Sequence, residues 1–268
     1  TSIEAMMGDK RALQAGTSHD LGQNFAKAFD IKFLDRDNVE KHCWTTSWGL
    51  SWRFMGGLIM IHGDDQGLRL PPKLAPIQVA VVPIYKNDAE KTTVFEAADR
   101  VFASLKAAGL RVKFDDRDET PGFKFNDWEM RGVPVRVEIG PKDGANNSVA
   151  LARRDIPGKA GKMFVPQAGL DERIKLLMNE IQASLLQQAR TFLHDNIREC
   201  NTLDEVRDAV QDGWALAPLL DDPSVDAKIK EEMQATNRNY PFEQAEGEWK
   251  CVVTGQTVRE RALIGKAY

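Results

Sequence analysis

The sequence predicts a chain of more than one domain, of α/β and α+β character, and three observations carry that reading. A buried-strand run, "IQVAVVPI" (residues 77–84), a helically spaced segment and a second strand, "LRVKF" (residues 110–114), follow one another in β-α-β order. That order implies a parallel or mixed sheet with helices packed on it. Just ahead of it, "LPPKLAP" sets Pro71, Pro72 and Pro76 close together, which breaks regular structure and marks a boundary. The length, 268 residues, gives room for two or three compact units.

The elements follow in order. "ALQAGTSHDLGQNFAKAF" begins at Ala12; its middle reads as a polar turn, with a short helix over residues 26–29. Behind Arg53 comes an apolar run, residues 54–61, in which Gly56 and Gly57 imply a bend or close backbone approach. "GDDQG" is turn chemistry. Residues 89–108 place Val94, Ala98, Val101 and Leu105 at helical spacing, closed by Gly109. "VPVRVEI" alternates: Val133, Val135, Val137 and Ile139 share one face, Arg136 and Glu138 the other. "SVALA" and "KMFV" are further strands. Residues 170–196 form a long amphipathic helix with Ile174, Leu177, Ile181, Leu185, Ala189 and Phe192 on its apolar stripe. Thr202 with Glu205 is a capping box, and Asp222-Pro223 an N-cap followed by a first-turn proline. The tail "WKCVVTGQTVRERALIGKAY" reads as short strands around a turn.

Composition narrows the classes. Hydrophobic residues make up 42% and charged residues 28%, as in globular proteins. No apolar run approaches the roughly 18–20 residues of a membrane span, and "TSIEAMMGDK" has neither the basic nor the apolar part of a signal peptide. That segment opens in mid-pattern without a Met, so upstream sequence is expected. Cys43, Cys200 and Cys251 are odd in number and far apart, which fits reduced thiols in the cytoplasm. The net charge of −4 announces no nucleic-acid binding, so an RNA site must be a local basic patch. Neither DNA nor a membrane is expected as a partner.

Taken residue by residue, the candidates stay ambiguous. The Thr17-Ser18-His19 stretch beside Gln14 fits a solvated loop. Arg53, among Trp44, Trp48 and Trp52, fits either a half-buried cation or a guanidinium that stacks on a purine and contacts phosphate. The 125–142 segment fits a solvated strand face with ion pairs such as Arg136 with Glu138. His42 and His62 read as packing or surface residues, and Asp64 and Asp65 as turn residues rather than metal ligands.

Three longer stretches add more: "LQAGTSHDLGQNFAKAFDI", "TTSWGLSWRFMGGLIMIHGDDQGLRLPPKLAPIQV" and "TPGFKFNDWEMRGVPVRVEIGPKD". With them, the chain resembles prolyl-tRNA synthetases of the archaeal and eukaryotic-like type from residue 3 to residue 268. "SWR" resembles the third signature motif of class II synthetases, with Trp52 where the family usually has Thr. The resemblance implies ATP contacts from Gln14, Ala15, Gly16, Thr17, Ser51 and Arg53, with Arg53 the catalytic cation, and a proline pocket lined by His19. It implies anticodon contacts from Phe125, Glu129, Arg136 and Lys142, with phosphate contacts from Arg153 and Arg154. The implied activity is ATP- and Mg2+-dependent attachment of L-proline to tRNA(Pro) through a prolyl-adenylate, in a cytoplasmic homodimer. The alternative is a stand-alone tRNA-binding module without catalysis, since the first two class II motifs lie upstream in relatives.

The resemblance also divides the chain. Residues 1–75 would be the C-terminal part of an antiparallel-sheet catalytic domain. Residues 76–170 would be a mixed-sheet α/β anticodon-binding domain, 171–198 a connecting helix and 199–268 a small α+β C-terminal domain. Relatives often carry four cysteines in that last domain. Leu220, Val225, Cys251 and Thr254 stand at those positions here, so no metal site and no structural zinc are expected.

Overall fold

The computed structural model describes residues 1–268. It divides into two compact units, Thr1–Ile61 with Phe192–Tyr268, and His62–Thr191.

The second unit is built on a five-stranded mixed sheet in the order Lys162–Pro166, Ser148–Arg153, Val135–Ile139, Val79–Pro83, Val112–Phe114. Val79–Pro83 runs parallel to both neighbours, while Ser148–Arg153 is antiparallel to the strands beside it. Strand alternation splits the sheet into two faces. Val79, Val81, Val135, Val137, Val149 and Leu151 join the main core with Val94, Val101 and Leu105, and with Ile174, Leu177 and Ile181. These come from the helices Asp88–Ala107 and Leu170–Asp195, both foreseen in the sequence. Asn87 caps the first, accepting from the Glu90 amide at 2.9 Å.

Ala80 and Val82 point to the other face, where they pack with Trp128, Val133 and Phe125. The helix Pro121–Met130 covers it. The sequence reading assigned no element there, although Thr120 as N-cap and Pro121 at the first turn are its start signal. The hairpin made by Gly63–Asp64 and Gly67–Leu68 meets the end of this helix. Gly67 has φ +124°, and a Cβ there would lie 2.3 Å from the Met130 Cα, so only glycine fits.

In the first unit, Ser2–Met6, Ala12–Gly22 and Thr45–Leu50 form an antiparallel sheet. This corrects the polar turn read at residues 17–24: the segment is strand through Gly22, and the helix behind it is Asn24–Ala28. Pairing satisfies the backbone, on both sides at Gly16 and with Thr45–Leu50 at Ser18 and Asp20, which outweighs the weak strand preference of these residues. The helix Arg53–His62 follows. Its Gly57 is buried, with a Cβ position 3.2 Å from Leu13, so the glycine there does mark a close approach.

The C-terminal part of this unit is a four-stranded sheet, Ile197–Glu199, Trp214–Pro218, Arg261–Gly265, Thr236–Asn239. Against it lie the helices Leu203–Ala209, with the expected Thr202 and Glu205 capping box, and Pro223–Met233, with Asp222 as N-cap. The core holds Val206, Val225, Ile229, Cys251 and Ile264. The chain ends on the three-stranded sheet. The Ala12 amide donates to the Lys266 carbonyl at 2.8 Å, and the Tyr268 hydroxyl donates to Asp9 at 2.7 Å. Trp214 Nε1 donates to the Lys10 carbonyl at 2.8 Å.

Candidate functional site

Two concave sites, one in each unit, gather the candidate residues. The first opens between the strands Ala12–Gly22 and Thr45–Leu50. Their register sets Gly16 opposite Leu50, Thr17 opposite Gly49 and His19 opposite Ser47. A cavity of about 290 Å³ is lined there by Gln14, Ala15, Gly16, Thr17, His19, Ser51 and Arg53, together with Ser47, Trp48, Gly49 and Leu50. A single concavity thus gathers every residue that the resemblance pointed to for ATP and proline. The four further lining residues were missed; the alternation of "TTSWGL" beside the "SWR" segment is the signal for them.

Backbone sets the floor of this site. The Ser51 amide donates to the Ala15 carbonyl at 2.9 Å, and Arg53 Nε donates to Ser51 Oγ at 3.3 Å. Arg53 makes no ion pair and lies at the N-terminus of the helix Arg53–His62, so its charge is free for an anion. No Asp or Glu lines the cavity. These residues therefore offer Mg2+ no carboxylate ligand. Trp48 and Trp52 are 80% and 88% exposed.

The second site lies on the sheet face covered by the helix Pro121–Met130. Register places Arg136 beside Ala80 and Ala152, and Lys162 beside Ala152. The small alanines leave a groove between the longer side chains. A cavity of about 250 Å³ is lined by Phe125, Trp128, Glu129, Arg136, Glu138, Arg153, Arg154, Lys159 and Lys162, among others. Phe125, Glu129 and Arg136 of the expected set meet here. Lys142 sits on the short helix Pro141–Ala145 and is not among the lining residues.

Electrostatically this site is a lattice of paired charge. Arg136 donates to Glu129 at 2.8 Å and to Glu138 at 3.0 Å, and its guanidinium lies 4.0 Å over the Phe125 ring. Arg153 pairs with Asp155 at 2.7 Å, and Arg154 Nη1 donates to Asp64 at 2.9 Å. Arg154 is buried, so it is less a phosphate contact than a brace for the hairpin. Its hydrogen bonds hold the Asp64 carboxyl below the usual range. Glu138, Lys159 and Lys162 were not singled out as site residues; only the Arg136/Glu138 alternation hinted at the first.

Behind the helix, Asp115 is buried and accepts from Trp128 Nε1 at 2.7 Å and from Arg117 at 2.8 and 2.9 Å. Burial alone would raise its pKa; Arg117, Trp128 and Lys124 outweigh that, and the net shift is downward. Arg117 reaches on to Asp127 at 2.7 Å. Lys124, also buried, donates to the Asp115 carbonyl at 3.2 Å, and burial pulls its pKa down. This network fixes the helix that presents Phe125 and Glu129.

No group of three or more His, Cys, Asp or Glu side chains has metal-holding geometry, and no helix is long and apolar enough to cross a membrane.

The anticodon binding domain family matches residues 78–163, and the family described as prolyl-tRNA synthetase, C-terminal, matches residues 203–268. A proline–tRNA ligase of Chloroflexus aurantiacus is 54% identical over 267 residues, covering 99% of this chain and 55% of its own length. The chloroplastic/mitochondrial proline–tRNA ligase of Arabidopsis thaliana is 52% identical over 272 residues, covering 100% and 50%. The crystal structure of prolyl-tRNA synthetase from Cryptosporidium parvum, complexed with L-proline and AMP, superposes with a TM-score of 0.92 at 38% identity. It covers 100% of this chain and 57% of its own. The chain spans about half the length of the relatives it matches. It belongs to the prolyl-tRNA synthetase family, as the portion that carries the anticodon-binding and C-terminal domains.

Proposed function

We propose that this chain is the C-terminal part of an enzyme that attaches L-proline to tRNA(Pro) at the expense of ATP. One observation carries the reading: Gln14, Ala15, Gly16, Thr17, His19, Ser51 and Arg53 line one concavity. In the first step a carboxylate oxygen of proline attacks the α-phosphorus of ATP, the bond to pyrophosphate breaks, and prolyl-adenylate forms. In the second, the terminal ribose hydroxyl of tRNA attacks the prolyl carbonyl and AMP leaves. Such chemistry depends on positioned cations and dipoles more than on covalent participation. Arg53 supplies an unpaired guanidinium to stack on the adenine and meet phosphate. Gly16 lets backbone approach the nucleotide. His19 forms a polar wall for the small proline ring. Mg2+ would arrive with ATP, since the residues of this cavity do not hold it.

In the second unit, Arg136, Glu129 and Phe125 read anticodon bases through donor, acceptor and stacking surface, with Lys142 as an outlying cation. We take 1–75, 76–170, 171–198 and 199–268 as the functional divisions. The homodimer rests on the resemblance alone, and the cytoplasmic location on the resemblance and on the three scattered cysteines. The non-catalytic module is the weaker reading, because the residues that the resemblance implies for ATP and proline line one cavity.

The test uses the full-length protein. Arg53→Ala should lower proline-dependent pyrophosphate exchange by about 100- to 1,000-fold; unchanged exchange would remove Arg53 from the reaction. His19→Ala should chiefly raise the KM for proline. An unchanged proline dependence would leave His19 with a structural role only.

A further inference from the structure

Among the charges of the second cavity, one is out of reach of a ligand. The Glu138 side chain is 3% exposed, and both of its oxygens are occupied. Oε1 accepts from Arg136 Nε at 3.0 Å and Oε2 from Lys162 Nζ at 2.6 Å. Arg136 is itself only 12% exposed. It is held on three sides, by Glu138, by Glu129 at 2.8 Å and by the Phe125 ring at 4.0 Å. Its Nη2 makes no hydrogen bond within the protein, and the side chain lines the cavity.

A carboxylate removed from water costs stability unless it is fully paired. Here the pairing also sets the direction of the guanidinium. With Nε committed to Glu138 and one Nη1 hydrogen to Glu129, the guanidinium plane is fixed over Phe125 and Nη2 is left for a ligand. Base recognition by arginine depends on a planar fork held at the right angle, and a site works only when its contact residues are themselves held. Lys162 completes the arrangement by occupying the far oxygen of Glu138, which keeps that carboxylate from swinging away. The register makes this local: Arg136 and Glu138 are two residues apart on one strand, and Lys162 lies two strands over on the same face, beyond Ala152.

We infer that Glu138 is a positioning residue for RNA recognition, acting through Arg136 and steadied by Lys162. The inference rests on the anticodon reading of this cavity. It differs from a purely structural role in one respect: a structural carboxylate would change overall stability and leave base discrimination alone.

The experiment measures binding of this 268-residue polypeptide to two RNAs. One is the anticodon stem-loop of proline tRNA, the other the same stem-loop with its anticodon bases replaced. The readout is the ratio of the two Kd values, for the parent, Arg136→Ala, Glu138→Gln, Lys162→Met and the double variants with Arg136→Ala. Thermal unfolding confirms that each is folded. Arg136→Ala should lower the ratio about tenfold or more. Glu138→Gln should lower it roughly three- to tenfold, the net worth of one ordinary hydrogen bond, because it acts only through Arg136, and Lys162→Met by less. In the Arg136→Ala background both further substitutions should change nothing, because the group they act through is gone. A ratio unchanged by Glu138→Gln, or an effect that persists without Arg136, overturns the inference while the anticodon reading stands. A ratio unchanged by Arg136→Ala overturns the anticodon reading and this inference with it. Should Glu138→Gln fail to fold, Lys162→Met decides by the same two outcomes, since that lysine is 37% exposed.

Discussion

The two cavities are of similar size, about 290 and 250 Å³, and are built by opposite means. The first is made of backbone and small polar groups, its one cation is unpaired, and its tryptophans face outward. In the second almost every charge has a partner, several within 3 Å. The contrast teaches what each can do alone. The paired cavity is organised before any ligand arrives and presents edges rather than net charge, which suits discrimination among bases. The backbone-built cavity offers close approach and one free positive charge, which suits a nucleotide whose remaining contacts come from elsewhere.

The contrast is broken most severely at Asp115. Asp115→Ala would leave Arg117 without its main carboxylate, the buried Lys124 with less compensation, and Trp128 Nε1 without an acceptor. Removing one partner from a buried charge network costs about 3–5 kcal/mol, and denaturant unfolding should show that loss. A change under about 1 kcal/mol would mean that the second unit does not depend on its paired charges.

Arg136 and Arg53 make the next comparison. Arg136→Ala leaves Glu138 buried with one partner fewer and should cost about 1–3 kcal/mol of stability. Arg53→Ala removes only a 3.3 Å hydrogen bond to an exposed serine and should stay within about 0.5 kcal/mol. Equal losses measured by thermal unfolding would erase the distinction between a braced cation and a free one.

How much of this could be read from residues depends on the distance over which each constraint acts. The strand Val135–Ile139 and the helices at residues 88–107 and 170–195 announce themselves through local period, because one face of each is buried over much of its length; Val133, ahead of the strand, packs on the opposite face, and the buried stripe of the long helix ends at Leu185. The Thr202 and Asp222 caps are equally local. The strand Ala12–Gly22 is not: Ser18 and Asp20 become strand because Thr45–Leu50 pairs along them, and that partner lies far along the chain. The helix Pro121–Met130 was missed for another reason. It buries Lys124 and Trp128 against Asp115 rather than a stripe of aliphatic residues, so its pattern lacks the usual period. The roles of Glu138 and Lys162 depend on register across three strands, which is invisible along the chain.

Acid separates the two regions more gently. In the second unit, Asp115 is driven upward by burial and downward by Arg117 and Trp128, with a net lowering. Asp127 shows the same balance, and Arg154 lowers Asp64. A carboxyl whose folded pKa is depressed stabilises the fold above the unfolded value, near 3.9, and that contribution is lost as pH falls through the folded value. The lowered carboxylates of the first unit, such as Asp30, Asp35 and Asp212, sit on exposed pairs and matter little to stability. Amide hydrogen exchange below about pH 4 should therefore show residues 112–131 losing protection before residues 197–265. The reverse order would show that the paired network is not what holds the second unit.

The smallest effect is expected from a chelator. At the four positions where the resemblance leads one to expect cysteines, this chain has Leu220, Val225, Cys251 and Thr254. Val225 and Cys251 are buried in the C-terminal core, and Leu220 packs against it. Backbone hydrogen bonds close the turn around Cys251: its amide donates to the Gln256 carbonyl at 2.8 Å, and the Gly255 amide donates to the Cys251 carbonyl at 2.9 Å. Burial pushes the Cys251 thiol up, but hydrogen bonds from Thr254 and nearby backbone outweigh it, so the thiol ends below its ordinary pKa. One polarised sulfur is still one ligand, and a structural zinc needs four. A core of valine, isoleucine and leucine stabilises through burial, which a chelator does not touch. Protein purified without a histidine tag or added metal should carry substoichiometric zinc, and excess EDTA should move its thermal midpoint by less than about 1 °C. Stoichiometric zinc, or unfolding on chelation, would mean that ligands outside these four positions hold a metal, because metal binding free energy in such domains is folding free energy. The first unit would then rest on a coordinated charge after all, and its contrast with the second would narrow to the nucleotide cavity.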